Sequence, residues 1–251
     1  MTTPTFFLHG GPGLNAGVER AWFGDSLPVD WWDQPPTANA ASPFEVLVQA
    51  CIERIHELAT TRVTPVKILA HSFGGQIAIA LAERIPHLIE SMTLLACSPS
   101  LAAAILRMGS RLSADQPDDL ELLRALPPSS RIEPTLSDLM SIIGAWSAYW
   151  PVAWFGPSSA HTIGNFLSLS EAMRFDASTF AAVLAESLSH ARIPKPVAFT
   201  GPVRLFVGSH DRMICPTEDE AHWRHVFPQL QYAVVNCGHM VHFEIDSLVW
   251  A

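Results

Sequence analysis

Apolar positions fall into two rhythms along this chain. Short apolar runs predict strands at Thr5–Leu8, Val66–Ala70 and Met92–Ala96, the last two with the look of buried parallel strands, and further strands follow at Val203–Val207 and Gln231–Val235. A further strand is predicted over Pro28–Gln34 (PVDWWDQ), ended by Pro35-Pro36. Between these runs the apolar residues recur at three- and four-residue steps. Phe44, Leu47, Val48, Cys51, Ile52, Ile55 and Leu58 place a helix over Pro43–Ala59. Ala-rich Gln76–Ile85 forms another, stopped by Pro86. Two more are expected at Glu218–Phe227 and from Val241 to the end. Strands alternating with helices give an α/β fold, a mostly parallel sheet flanked by helices.

The alternation lapses once. From Ser98 to Pro202 no strand pattern recurs, and helices are predicted at Asp118–Leu126, Leu136–Trp150 and Asp176–Ala191. Thr135-x-x-Asp138 reads as a capping box and Asp176 as an N-cap. The chain is therefore expected to divide into a core of residues 1–97 plus 203–251 and an inserted helical cap of residues 98–202.

Composition narrows the picture. With 49% hydrophobic and 16% charged residues in 251, a large core is available and disorder is excluded as a general state. A net charge of −9 without a Lys/Arg cluster argues against nucleic acid or an anionic membrane surface as partner. No stretch is long and apolar enough to span a bilayer, and MTTPTFFLHGG lacks the regions of a signal peptide, so a cytoplasmic protein is expected. Cys51, Cys97, Cys215 and Cys237 have no C-x-x-C spacing and read as reduced thiols.

Four loops carry residues suited to acyl chemistry. Ala70-His71-Ser72-Phe73-Gly74 lies between a strand and a helix and is one residue away from the G-x-S-x-G nucleophile elbow. Ala70, Gly74 and Gly75 keep the flanking positions small, as a tight strand-to-helix turn needs. A serine hydroxyl needs a base to take its proton, and the base needs a carboxylate to fix its tautomer. Asp211 and His239 also follow predicted strands, and in a parallel sheet the loops after different strands converge at one edge. His9-Gly10-Gly11-Pro12-Gly13 follows the first strand, and its glycines allow backbone N–H groups to approach a developing oxyanion.

HGGPG at 9–13, AHSFGG at 70–75, GSHD at 208–211 and CGHMVHFE at 237–244 together resemble the α/β-hydrolase fold superfamily, over nearly the whole chain. The resemblance implies Ser72 as nucleophile, Asp211 as orienting acid, His239 as base, and the backbone N–H groups of Gly11 and Phe73 as oxyanion donors. It implies no cofactor and no metal. Family members usually carry two strands before the HG loop; here the loop begins at His9, so a sheet lacking those first two strands is expected. The glycines of the family's D-x-x-G-x-G-x-S segment are missing from Asp33-Gln34-Pro35-Pro36.

Other titratable residues are read as supporting ones. His242 is assigned to packing, and His71 and His9 to hydrogen bonds with backbone around the site. Asp30 and Asp33 come too early in the chain to be the acid, and His222 and His225 mark a solvated helix face. Trp146, Tyr149, Trp150, Trp154 and Phe155 serve equally as cap packing or as an apolar ceiling, with Trp146 and Trp150 on one helix face as substrate contacts. The function expected is hydrolysis of a carboxylic ester or related acyl compound, a small and partly apolar molecule. The second reading is a proline iminopeptidase-like aminopeptidase, since such enzymes share HGGPG, although their elbow is G-G-S-W-G. Carbon–carbon bond hydrolysis uses a similar frame, and outside enzymes a non-catalytic binding protein does as well.

Overall fold

The computed structural model describes residues 3–24, 27–128, 130, 133–157, 159–189 and 195–245. Six strands form one parallel sheet in the order β2-β1-β3-β4-β5-β6: β1 (Thr5–Leu8), β2 (Val29–Trp31), β3 (Val66–His71), β4 (Ile89–Leu95), β5 (Val203–Gly208) and β6 (Gln231–Val235). Phe6, Phe7, Leu8, Val66, Leu94, Leu205 and Val207 are fully buried, as expected of strands covered on both faces. Leu8 pairs with Ala70 and Ala70 with Leu94, so β1, β3 and β4 end level. Their following loops therefore leave the sheet side by side.

The helices linking core strands are α1 (Gly17–Phe23), α2 (Pro43–Arg62), α3 (Gly74–Arg84), α9 (Pro216–Val226) and, after β6, α10 (Val241–Glu244). Helix α2 buries Phe44, Leu47, Val48, Cys51 and Ile55, the stripe anticipated from its spacing. Between β4 and β5 lie α4 (Leu101–Asp115), α5 (Leu120–Ala125), α6 (Leu136–Trp146), α7 (Ala160–Ser168) and α8 (Ala177–Ser189), and no strand among the described residues. The capping box at Thr135 and Asp138 forms as expected, and the Asp176 carboxylate accepts the N–H groups of Ser178 and Thr179 at the start of α8.

Several boundaries differ from expectation. β2 is three residues long, because Asp33 leaves the strand direction to accept the Ala16 N–H at 2.9 Å. Helix α6 stops at Trp146 rather than Trp150. Residues Ser147–Tyr149 tighten into a 3-10 turn, and Trp150 is extended (φ −73°, ψ 136°), as the position before Pro151 favours. Helices α1, α4 and α7 were not foreseen individually. Helix α4 is capped by Ser100 and buries Leu101, Ile105, Met108 and Leu112 on a single stripe. The helix expected from Val241 to the end stops at Glu244, where Ile245 leaves the helical conformation (φ −138°, ψ 68°), and the expected end of the Asp176–Ala191 helix falls on residues 190–191, outside the described residues. A second apolar cluster of Val18, Phe155, Phe166, Met240 and Phe243 ties α1, α7 and α10 together beside the sheet edge.

Candidate active site

The turn from β3 into α3 holds Ser72 at φ 52°, a left-handed conformation that costs a non-glycine residue free energy. Its surroundings leave no alternative. A Cβ on Gly74 would stand 2.4 Å from the Leu8 carbonyl oxygen, and one on Gly75 would stand 2.6 Å from the Cys97 Cβ. The Ser72 N–H is fixed by the Leu95 carbonyl at 2.9 Å. Ala70, where the common pattern has glycine, is fully buried without disturbing the pairing of β3 with either neighbour. Ser72 is left partly exposed between buried His71 and Phe73.

His239 reaches Ser72 from the loop after β6. Its ring is buried, its N–H is held by the Trp154 carbonyl at 2.7 Å, and its Nε2 accepts from Ser72 Oγ at 2.9 Å. On the other side Nδ1 donates to Asp211 Oδ2 at 2.7 Å, and that carboxylate is itself buried in the loop after β5. Asp211 Oδ1 accepts the N–H groups of Met213 at 2.7 Å and Ile214 at 3.3 Å, while Arg111 donates to the Asp211 carbonyl oxygen. With the carboxylate accepting at Nδ1, the imidazole keeps its proton there and presents a lone pair to Ser72. This arrangement can draw a proton from the serine hydroxyl.

Three more histidines cluster behind this pair. The His71 ring centroid lies 4.9 Å from that of His239 and 4.7 Å from that of His242. His71 Nε2 donates to the His239 carbonyl at 3.0 Å. Burial, together with the neighbouring His242 and His239, holds its pKa well below the usual histidine value, so it stays neutral. Gly10 has to be glycine because a Cβ there would stand 2.7 Å from His71 Nδ1. His9 is likewise lowered by burial and meets the Gln34 N–H at 3.3 Å. Both residues thus hydrogen-bond backbone, as the sequence suggested. His242 is fully buried, and its Nε2 donates to Glu19 Oε1 at 3.3 Å.

Gly11, at φ 60°, lines the same cavity as Ser72, Phe73 follows Ser72 in the chain, and neither N–H meets a backbone acceptor among the described residues. Ser72 and His239 open into a cavity of about 340 Å³. Leu101, Ile105 and Met108 of α4, Trp146 of α6, Phe166 of α7 and Phe180 of α8 form much of its apolar wall. Trp150 lines it too, but on the segment after α6, so the expected shared helix face with Trp146 does not exist. The two tryptophans meet instead through Trp154, whose ring centroid lies 4.8 Å from that of Trp146 and 5.8 Å from that of Trp150. They pack and line the wall at once. Neither indole N–H has an acceptor among the described residues.

The family model for the alpha/beta hydrolase fold matches residues 6–245, nearly the whole of this arrangement. The chain belongs to the alpha/beta hydrolase family. Solved structures similar to this alpha/beta hydrolase include the proline iminopeptidase-related protein of Thermus thermophilus, at TM-score 0.67 and 20% identity over 97% of this chain and 85% of that one. A thermophilic esterase from Thermogutta terrifontis is similar at TM-score 0.60 and 19% identity, over 99% and 87%. At these identities the likeness is one of fold. Among curated proteins, the histidinol-phosphate aminotransferase of Pseudomonas putida (strain W619) is 32% identical over 136 residues, 54% of this chain and 37% of that protein. The chain spans about a third of the length of the curated relatives it matches, and its fold is assigned by the family match.

Within this alpha/beta hydrolase the residues singled out from sequence come together, with two additions. Helix α4 supplies a wall, and its Leu101, Ile105 and Met108 spacing was legible in the sequence. Glu19 was missed because GVERAWF is short and opens with glycine. A signal existed, since Glu19 shares a helical face with apolar Trp22 and Phe23. Asp33 and Arg20 pair at 3.0 Å on the surface. His222 and His225 lie on α9, and no group of three metal-ligating side chains occurs among the described residues. No helix among those residues is long and apolar enough to cross a membrane.

Proposed function

We propose that this alpha/beta hydrolase is a serine hydrolase that cleaves a carboxylic ester or closely related acyl bond without a cofactor. The observation carrying this reading is the unbroken hydrogen-bond line from Ser72 Oγ through His239 to Asp211, at 2.9 and 2.7 Å. Ser72 passes its proton to His239 Nε2 as Oγ bonds to the acyl carbon, and Asp211 steadies the imidazolium. Charge on the tetrahedral oxygen falls to the N–H groups of Gly11 and Phe73. His239 then returns the proton to the departing alkoxide, giving the alcohol and an acyl-Ser72. Water, deprotonated by the same histidine, attacks the acyl carbon, and His239 returns that proton to Ser72 Oγ as the acyl–Oγ bond breaks and the acid leaves.

Residues 98–202 act as a cap on a core of residues 1–97 and 203–251, and the helices they contain supply much of the apolar wall of the cavity. A small, largely apolar substrate fits that lining. A fluorophosphonate probe tests the proposal, because it needs an activated serine and no particular substrate. Labelling at Ser72 that disappears in Ser72→Ala is expected. A folded protein that is never labelled would instead be a binding protein on this fold. A screen of short- and long-chain esters, lactones and aminoacyl arylamides then separates ester from peptide chemistry.

A further inference from the structure

Glu19 is the single formally charged side chain among the described residues lining the cavity. Its residue is 7% exposed and follows Val18, a member of the second apolar cluster, along α1. One oxygen, Oε1, accepts from His242 at 3.3 Å; Oε2 takes no hydrogen bond from the described residues. The cation beside it in sequence, Arg20, turns away to the Trp31 carbonyl at 2.8 Å and to Asp33 at 3.0 Å. His242 brings a single N–H to Glu19, and its own Nδ1 is buried without a partner. A carboxylate largely withdrawn from water keeps most of its desolvation cost unless a cation or several donors face it. Here one long hydrogen bond does so, and the unused oxygen belongs to a residue of the cavity wall.

We infer that Glu19 receives a protonated amine of the substrate, so that the compound cleaved carries an ammonium group on an otherwise apolar frame. This rests on the serine-hydrolase reading of the same cavity. A purely structural role would be met by the His242 contact alone, which glutamine provides equally through its carbonyl oxygen. The open oxygen and the negative charge are what glutamine lacks. An ammonium donates to that oxygen in a charge-assisted hydrogen bond, while its alkyl chain contacts Met173, Trp150 and the other apolar residues of the lining.

The test is calorimetric binding of hexylammonium and of 1-hexanol to the wild-type protein and to Glu19→Gln at neutral pH. Wild type is expected to bind hexylammonium on the order of tenfold more tightly than 1-hexanol, and Glu19→Gln to lose that preference. Equal affinity of the wild type for the two overturns the inference, with no variant and no turnover involved. So does a preference that persists undiminished in a folded Glu19→Gln. In parallel, the ratio of kcat/KM for p-nitrophenyl 6-aminohexanoate over p-nitrophenyl heptanoate should fall about tenfold in Glu19→Gln, and an unchanged ratio counts against the inference. Failure of the hydrolase reading looks different: Ser72 stays unlabelled by fluorophosphonate, whatever the two binding affinities are.

Discussion

The α-carbon of Gly74 faces the carbonyl oxygen of Leu8 so closely that an added methyl group would stand 2.4 Å from it. The first turn of α3 is thereby pressed against the end of β1, just where the His9–Gly13 loop departs. Backbone cannot yield here as a flexible side chain would. Gly74→Ala is expected to destabilise the protein by about 1–3 kcal/mol and to lower activity with it, since the turn carrying Ser72 must shift. Gly144 in α6, where an added Cβ would meet nothing within 4 Å, is the control. Gly144→Ala should stabilise by roughly 0.5–1 kcal/mol through helix propensity. Urea midpoints of both variants check the pair, and equal effects would contradict the close approach.

Ser72→Ala should remove at least ~10³-fold of activity while the thermal midpoint stays near that of the wild type, because the side chain is small and partly exposed. Asp211→Asn should lose ~10³- to 10⁴-fold. Its amide nitrogen would face His239 Nδ1 and force the proton onto Nε2, where it can no longer accept from Ser72. Asp33→Asn keeps an oxygen for the Ala16 N–H and gives up a half-exposed ion pair, so activity should be retained. Esterase assays of the folded variants decide this, and a reversal of the two aspartates would displace the acid.

Much of this was legible from residue order, and the reasons for the gaps are local. The apolar runs of β1, β3 and β6 have no competing period, and the glycines beside Ser72 advertise a tight turn. Trp146–Trp150 misled because helical spacing continues past the point where Pro151 forces extended backbone. Glu19 escaped notice since its partner His242 lies more than 200 residues away in sequence. Within the seven-residue helix its local trace is the face it shares with Trp22 and Phe23.

Trp146→Ala and Trp150→Ala should each weaken kcat/KM for bulky apolar esters by about 1–3 kcal/mol while changing small acetate esters little. Both rings line the cavity, yet they also lean on Trp154. Kinetics on both ester classes should therefore be measured beside the thermal midpoint. Equal losses on the two classes, tracking stability, would assign the rings to packing alone.

Asp176 gives a pH signature. Hydrogen bonds from the Ser178 and Thr179 hydroxyls, with the Thr179 N–H, hold its carboxyl down to about 2. A folded-state value below the unfolded one means the contribution is full above about pH 4 and fades as pH falls toward 2. Asparagine cannot ionise. The difference in thermal midpoint between wild type and Asp176→Asn should accordingly be largest above pH 4 and shrink on acidification. A difference independent of pH would remove the carboxylate from the capping of α8.

The Asp176 N–H also bonds to the Gly13 carbonyl at 2.8 Å, and two residues on, Asn15 takes the Arg174 N–H at 2.8 Å and donates to the Ala172 carbonyl at 3.1 Å. The glycine-rich loop after β1 is thus stitched to the stretch leading into α8. Exchanging the helical segment for a relative's would tear those stitches and leave the loop that carries Gly11 unsupported. The helical segment and residues 13–15 must therefore be inherited together, and recombination at the end of β4 and the start of β5 would yield misfitting chimeras unless those three residues travelled with the insert.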